Sequence, residues 1–159
     1  MIQNDLDLPV DDYLIKYTNP NEQICLIGYF PATNHILVEG EIWLSRGAHL
    51  HKYGLDHIWQ GRRTALIRLK IVTVREVINH LISILNRRTP IYPEIKDTKT
   101  AVVKTTSGAV IIEKIEDGNE HSFYSAVTLL TATRAAPLNV QGRWGNKPLN
   151  HIKKDCQKI

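Results

Sequence analysis

Residues 73–88, TVREVINHLISILNRR, decide the fold class. Val74, Val77, Ile78, Leu81, Ile82 and Leu85 recur at helical spacing, so a helix over 73–88 carries them on one side. Thr73 and, three residues on, Glu76 form a capping-box pair that satisfies amides the first turn would otherwise leave unbonded. Arg87 and Arg88 place positive charge at the negative end of the helix dipole, and Thr89-Pro90 stops the helix. A single apolar stripe must be covered by a second layer. Residues 101–105, 109–115 and 122–131 supply it: they read as strands separated by Ser107-Gly108 and by Asp117-Gly118-Asn119, an antiparallel three-stranded meander. Upstream, the continuous apolar run 24–30, turn chemistry at 31–35 and alternation over 36–44 predict an N-terminal β-hairpin. Helices leading into an antiparallel sheet make an α+β domain.

Around that frame the chain divides into a polar lead-in (1–23), a single α+β domain (24–136) and a basic, extended tail (137–159) with Lys153, Lys154 and Lys158. The lead-in is expected to be peripheral, with at most a short helix over 10–17. At 159 residues with 43% apolar and 23% charged side chains, the chain is large enough for its own core and too apolar to stay disordered. The net charge of +4 tilts it towards anionic partners. That charge is uneven: Asp5, Asp7, Asp11, Asp12 and Glu22 lie in the lead-in, whereas Lys and Arg greatly outnumber Asp56 and Glu76 between 46 and 88. Cys25 and Cys156 form no metal motif and do not by themselves imply a disulfide, so a reducing compartment is compatible. No apolar run approaches the roughly 18 residues of a membrane span, and the N-terminus lacks a secretory signal pattern.

The chemistry-bearing stretch is 47–63, GAHLHKYGLDHIWQGRR, with His49, His51, His57, Lys52, Arg62 and Arg63 beside the single carboxylate of Asp56. Imidazole moves protons near neutral pH, and Lys and Arg hold charge that builds on a phosphoryl oxygen. A helix over 48–60 is expected, with Gly54 weakening or splitting it.

Gly54-Leu55-Asp56-His57-Ile58, followed by a long helix and a meander ending in Phe123-Tyr124-Ser125-Ala126-Val127-Thr128, resembles the metal-independent ribonuclease superfamily of barnase, EndoU, the tRNA-cleaving colicins and RelE, in its phage-borne and contact-dependent toxin branch. The resemblance covers roughly 36–131 by element order and those two short motifs by residue. It implies cleavage of RNA, tRNA among the candidates, by attack of the ribose 2′-OH on the adjacent phosphate, with no cofactor and no metal. His57 matches the motif histidine and would be general acid or base, with His51 or His49 as a second. Lys52, Arg62, Arg63 and Lys104 would bind phosphate, with Lys114 secondary, and Tyr124 and Thr128, placed on one sheet face, would add hydroxyls. Barnase-like members use a sheet glutamate as base. Whether Glu113, Glu120 or neither fills that place is open here, as is a role for His121. The toxin branch further implies action in a target cell's cytoplasm after delivery within a larger secreted protein, and a cognate acidic immunity protein as partner.

Other readings of the same residues stay open. His49, His51 and His57 converging on zinc would make a metalloenzyme, although no HExxH pattern or cysteine pair accompanies them. A basic helix on a small sheet also suits a nucleic-acid-binding module without chemistry, or a phage structural or adaptor protein.

Overall fold

In a computed structural model, residues 3–30, 40–50, 52–85, 90–93, 100–105, 108–116, 122–130 and 142–143 are described. A 3₁₀ turn, Gln3–Asp7, leads into α1 (Val10–Lys16); β1 (Gln23–Phe30) and β2 (Gly40–Ser45) follow, then α2 (Gly54–Arg68) and α3 (Val74–Ile84). The described elements after α3 are strands: β3 (Pro90–Pro93), β4 (Thr100–Thr105), β5 (Gly108–Glu116), β6 (Ser122–Leu130) and β7 (Gly142–Arg143). The expected α+β class is found, with all strands in one sheet of order β1-β2-β6-β5-β4-β3-β7.

β1 and β2 pair antiparallel, as the expected hairpin requires, and β4, β5 and β6 form the expected meander. The two units join where β2 runs parallel to β6, Ile42 beside Tyr124 and Trp43 beside Ser125. The connection after α3 holds one more strand than expected, β3, set between β4 and the short β7, which is itself part of the stretch expected to be extended tail.

Ile42, Leu44, Val110 and Ile112 mark the sheet face that packs under the helices, in one core with Leu55, Ile58, Trp59 and Leu66 of α2 and Val74, Val77, Ile78, Leu81 and Ile82 of α3. The α3 stripe is therefore the stripe read from the sequence. Its capping box is complete: the Glu76 amide donates to Thr73 Oγ1 at 3.2 Å, and the Thr73 amide donates to Glu76 Oε1 at 3.0 Å. The helix closes at Ile84, so the dipole role expected of Arg87 and Arg88 lies outside the described residues. Ile24, Cys25, Leu26 and Ile27 are consecutive and all buried, which explains why β1 reads as an unbroken apolar run rather than an alternating one. Cys25 is buried in β1, and Cys156 lies outside the described residues.

The N-terminal segment is not peripheral. Leu6, Val10 and Tyr13 are fully buried members of the core, and the Val10 and Val74 amides donate to the Val72 and Leu8 carbonyls, tying the segment to the α2–α3 junction. Three apolar side chains suffice to anchor a stretch whose composition is otherwise polar and acidic.

Candidate functional site: an imidazole pair on a pinned loop

α2 begins at Gly54, not at Ala48, and runs on to Arg68. The reason lies in two glycines. Gly47 (φ +70°) and Gly54 (φ +78°) both occupy the left-handed region that side chains disfavour, and they meet across the neck of the 47–54 loop. A Cβ on Gly47 would come within 2.1 Å of the Tyr53 carbonyl oxygen, and one on Gly54 within 2.6 Å of the Gly47 Cα. Ala48 and Tyr53 pair as an isolated bridge, which closes the chain on itself just before the helix.

Asp56 fastens this turn to α2. Its Oδ2 accepts from the His49 amide at 3.1 Å and from Arg46 Nη1 at 3.3 Å, and its Oδ1 accepts from Gln60 Nε2 at 3.4 Å. Arg46 in turn donates to the carbonyls of Leu14, Tyr17 and Gly47 at 3.0, 2.8 and 2.9 Å. One guanidinium thus joins α1, the end of β2 and the loop. The Arg46 and Asp56 side chains are only 14% and 17% exposed, so this pair is fixed in the wall of the molecule and is not a mobile surface contact.

The fastening brings His49 against His57. Their Nδ1 atoms are 3.2 Å apart, with ring centroids at 5.3 Å and planes inclined by 27°. The centroids are farther apart than the nitrogens by about two ring radii, so the rings meet nitrogen to nitrogen and not face to face. At that distance the contact is a hydrogen bond, which needs a proton on one Nδ1 and a lone pair on the other. In the neutral pair the tautomers are therefore opposite: the donor ring presents a bare Nε2, and the acceptor ring presents Nε2–H. His57 is held below the ordinary imidazole range, first by burial and then by the like charges of His49 and Lys52, with Asp56 opposing them and Arg62 adding to them.

Of the other expected site residues, Lys52 stands exposed on the turn with φ +59°, and Arg62 lines the outer side of α2. Arg63 is committed elsewhere: it pairs with Asp11 at 3.1 Å beside Trp59, whose indole also donates to Asp11 at 2.9 Å. His51, Glu120 and His121 lie outside the described residues.

β6 departs from simple alternation. Ile111 pairs with Thr128 but Ile112 with Ala126, so β6 carries one extra residue there and its facing alternation reverses. In the backbone register Tyr124 pairs with Lys114 and Thr128 with Ile111, on either side of that extra residue. Lys104 pairs with Ala109 and Glu113 with Thr100 in the same register. His57 itself lies on the side of α2 away from the sheet, since Leu55, Ile58, Trp59 and Leu66 take the inner side, so it does not look across a cleft at the meander.

What accompanies the pair is the outer side of α2. Gly61, Thr64 and Arg68 follow His57 at helical spacing, and Gly61 leaves open space where a side chain would stand. Gln60, Gly61, Arg62, Arg63, Thr64, Ala65 and Arg68 line an open hollow of about 270 Å³. From His57 to Arg68 this track is about 16 Å long at the helical rise. Compared with known proteins, the chain matches no family, no curated protein and no solved structure.

Proposed function

We propose that this chain is a metal-independent endoribonuclease in which His49 and His57 together supply the acid and the base. The end-to-end Nδ1 contact carries the reading. A bare Nε2 on one ring takes the proton of a ribose 2′-OH as its oxygen attacks the adjacent phosphorus; the Nδ1 proton shifts across the shared hydrogen bond; the partner's Nε2–H, which points away from the first ring, protonates the departing 5′-oxygen through intervening water. One proton enters the pair and one leaves. The products are a 2′,3′-cyclic phosphate and a free 5′-OH, and the rings end in exchanged tautomers. Lys52 and Arg62, beside His57, would stabilise the phosphorane oxygens, and Arg68 would hold a flanking phosphate.

The barnase, EndoU, colicin and RelE likeness remains part of this proposal through its motif histidine, while the sheet hydroxyls and sheet carboxylate it suggested are not used. Delivery as a toxin and neutralisation by an acidic immunity protein rest on that likeness alone. The open basic hollow equally suits RNA binding without cleavage, and substitution separates the two. With tRNA in EDTA, the wild type should yield discrete cyclic-phosphate fragments. His57→Ala should lower the rate at least about 100-fold, the usual contribution of a positioned acid or base, while binding persists. Intact tRNA with undiminished binding would favour the module.

A further inference from the structure

The same two nitrogens have a second chemistry. A tetrahedral zinc ion with Zn–N distances of about 2.0–2.1 Å holds two ligand nitrogens about 3.3–3.4 Å apart. His49 Nδ1 and His57 Nδ1 are already 3.2 Å apart, with one ring on the helix and the other on a turn pinned by Gly47, Gly54 and Asp56. The rings need only tilt for both lone pairs to converge beside the line that now joins them. We propose that the His49–His57 pair is a seat for a borderline transition-metal ion, Zn²⁺ or Cu²⁺, and that metal and proton relay exclude one another.

The donor set defines the ion. Among the described residues no group of three His, Cys, Asp or Glu side chains gathers to hold a metal, and the Asp56 oxygens are taken by Arg46, the His49 amide and Gln60. Two imidazoles and water therefore make the shell. That set suits Zn²⁺ and, more tightly, Cu²⁺, whereas Mg²⁺ requires oxygen donors.

Proton balance gives the consequence. When an ion takes both Nδ1 lone pairs, the single Nδ1 proton of the neutral pair moves through solvent to the bare Nε2 of its own ring, and none is released. From the singly protonated pair one proton is released, so acid weakens binding. In either case both Nε2 atoms end as N–H donors and the acceptor corner is lost. The charged groups around the pair are Lys52 of the turn and Asp56 and Arg62 of α2. Inhibition rests on the ribonuclease reading; the metal seat itself does not.

The test is equilibrium dialysis of the purified chain against ZnCl₂ at pH 7.5, without RNA. One Zn²⁺ per chain is expected, bound at least tenfold more weakly by His49→Ala, by His57→Ala and by the wild type at pH 5.5, and undisturbed by excess Mg²⁺. His49 is exposed, so its replacement leaves the core intact. Zn²⁺ uptake that survives both substitutions, or no uptake at sub-millimolar ion, overturns the seat. Full uptake with no RNA cleavage under any condition leaves the seat standing and removes the ribonuclease reading. Cleavage that continues unchanged when this seat is filled overturns the exclusion.

Discussion

His57 couples the candidate site to pH. Its folded-state pKa lies below the ordinary value of 6.5, chiefly through burial, and His80 is lowered by burial in the same direction. As pH falls through 6.5 the unfolded chain takes up these protons first, so it binds more protons than the folded chain and stability is lost, until the lowered folded pKa is passed. Chemical denaturation should accordingly give lower stability at pH 5.5 than at pH 7.5, and His57→Gln should flatten the difference; an unchanged slope would separate His57 from it. Cleavage should fall over the same acidic range, as protonation removes the bare Nε2. Long-range ¹H–¹⁵N spectra at pH 7.5 should find one ring with Nδ1–H and the other with Nε2–H. Both rings as Nε2–H tautomers would contradict the hydrogen bond on which the proposed relay depends.

The loop between β2 and α2 holds the pair together, so its strain belongs to the element. Gly47→Ala meets both a disfavoured φ and the Tyr53 carbonyl, and should cost at least about 2 kcal/mol of unfolding free energy together with most of the cleavage. Arg46→Ala strands Asp56 and three carbonyls, and should cost about 2–4 kcal/mol by denaturant titration. A loss below 1 kcal/mol in either would mean that the turn is not fastened as described. These elements differ in how far sequence exposes them. α3 is legible because its stripe and its cap are both local. The start of α2 is not, because it is decided by Gly47 and Gly54 meeting seven residues apart, and periodicity does not record that contact. The register of β6 is hidden for a similar reason: one extra residue between Ala126 and Thr128, in a strand whose sequence reads as unbroken, shifts the pairing with β5. The lead-in reads as peripheral because Leu6, Val10 and Tyr13 are outnumbered there by polar residues, although they do the burying. His49 was visible only as an alternative to His51, since adjacency to His57 depends on the turn.

Across the whole molecule, the charge segregation seen along the sequence is partly undone by folding. Asp7 pairs with Arg75 and Asp11 with Arg63, so the acidic N-terminal segment folds back on the basic helices, while Asp5 pairs within the segment with Lys16. The exposed pairs, Asp7 with Arg75 and Asp11 with Arg63, each add at most about 1 kcal/mol, but they decide which cations remain for a partner. Among the described residues Lys52, Arg68 and Lys70 have no ion-pair partner, and the first two stand at either end of the α2 track. Arg68→Ala should weaken RNA binding similarly for all sequences and reduce the magnitude of the salt slope by about one, whereas Arg63→Ala should chiefly loosen α1. Equal effects of the two on binding would place the RNA elsewhere.

The most direct measurement is the end chemistry of tRNA incubated with purified protein in EDTA, comparing wild type with His49→Ala and His57→Ala. The proposed dyad predicts 2′,3′-cyclic phosphate ends from the wild type and near-complete loss in each variant alone, since either ring without the other has no relay. Undiminished cleavage by His49→Ala, or no cleavage by a folded wild type that binds the RNA, would contradict it.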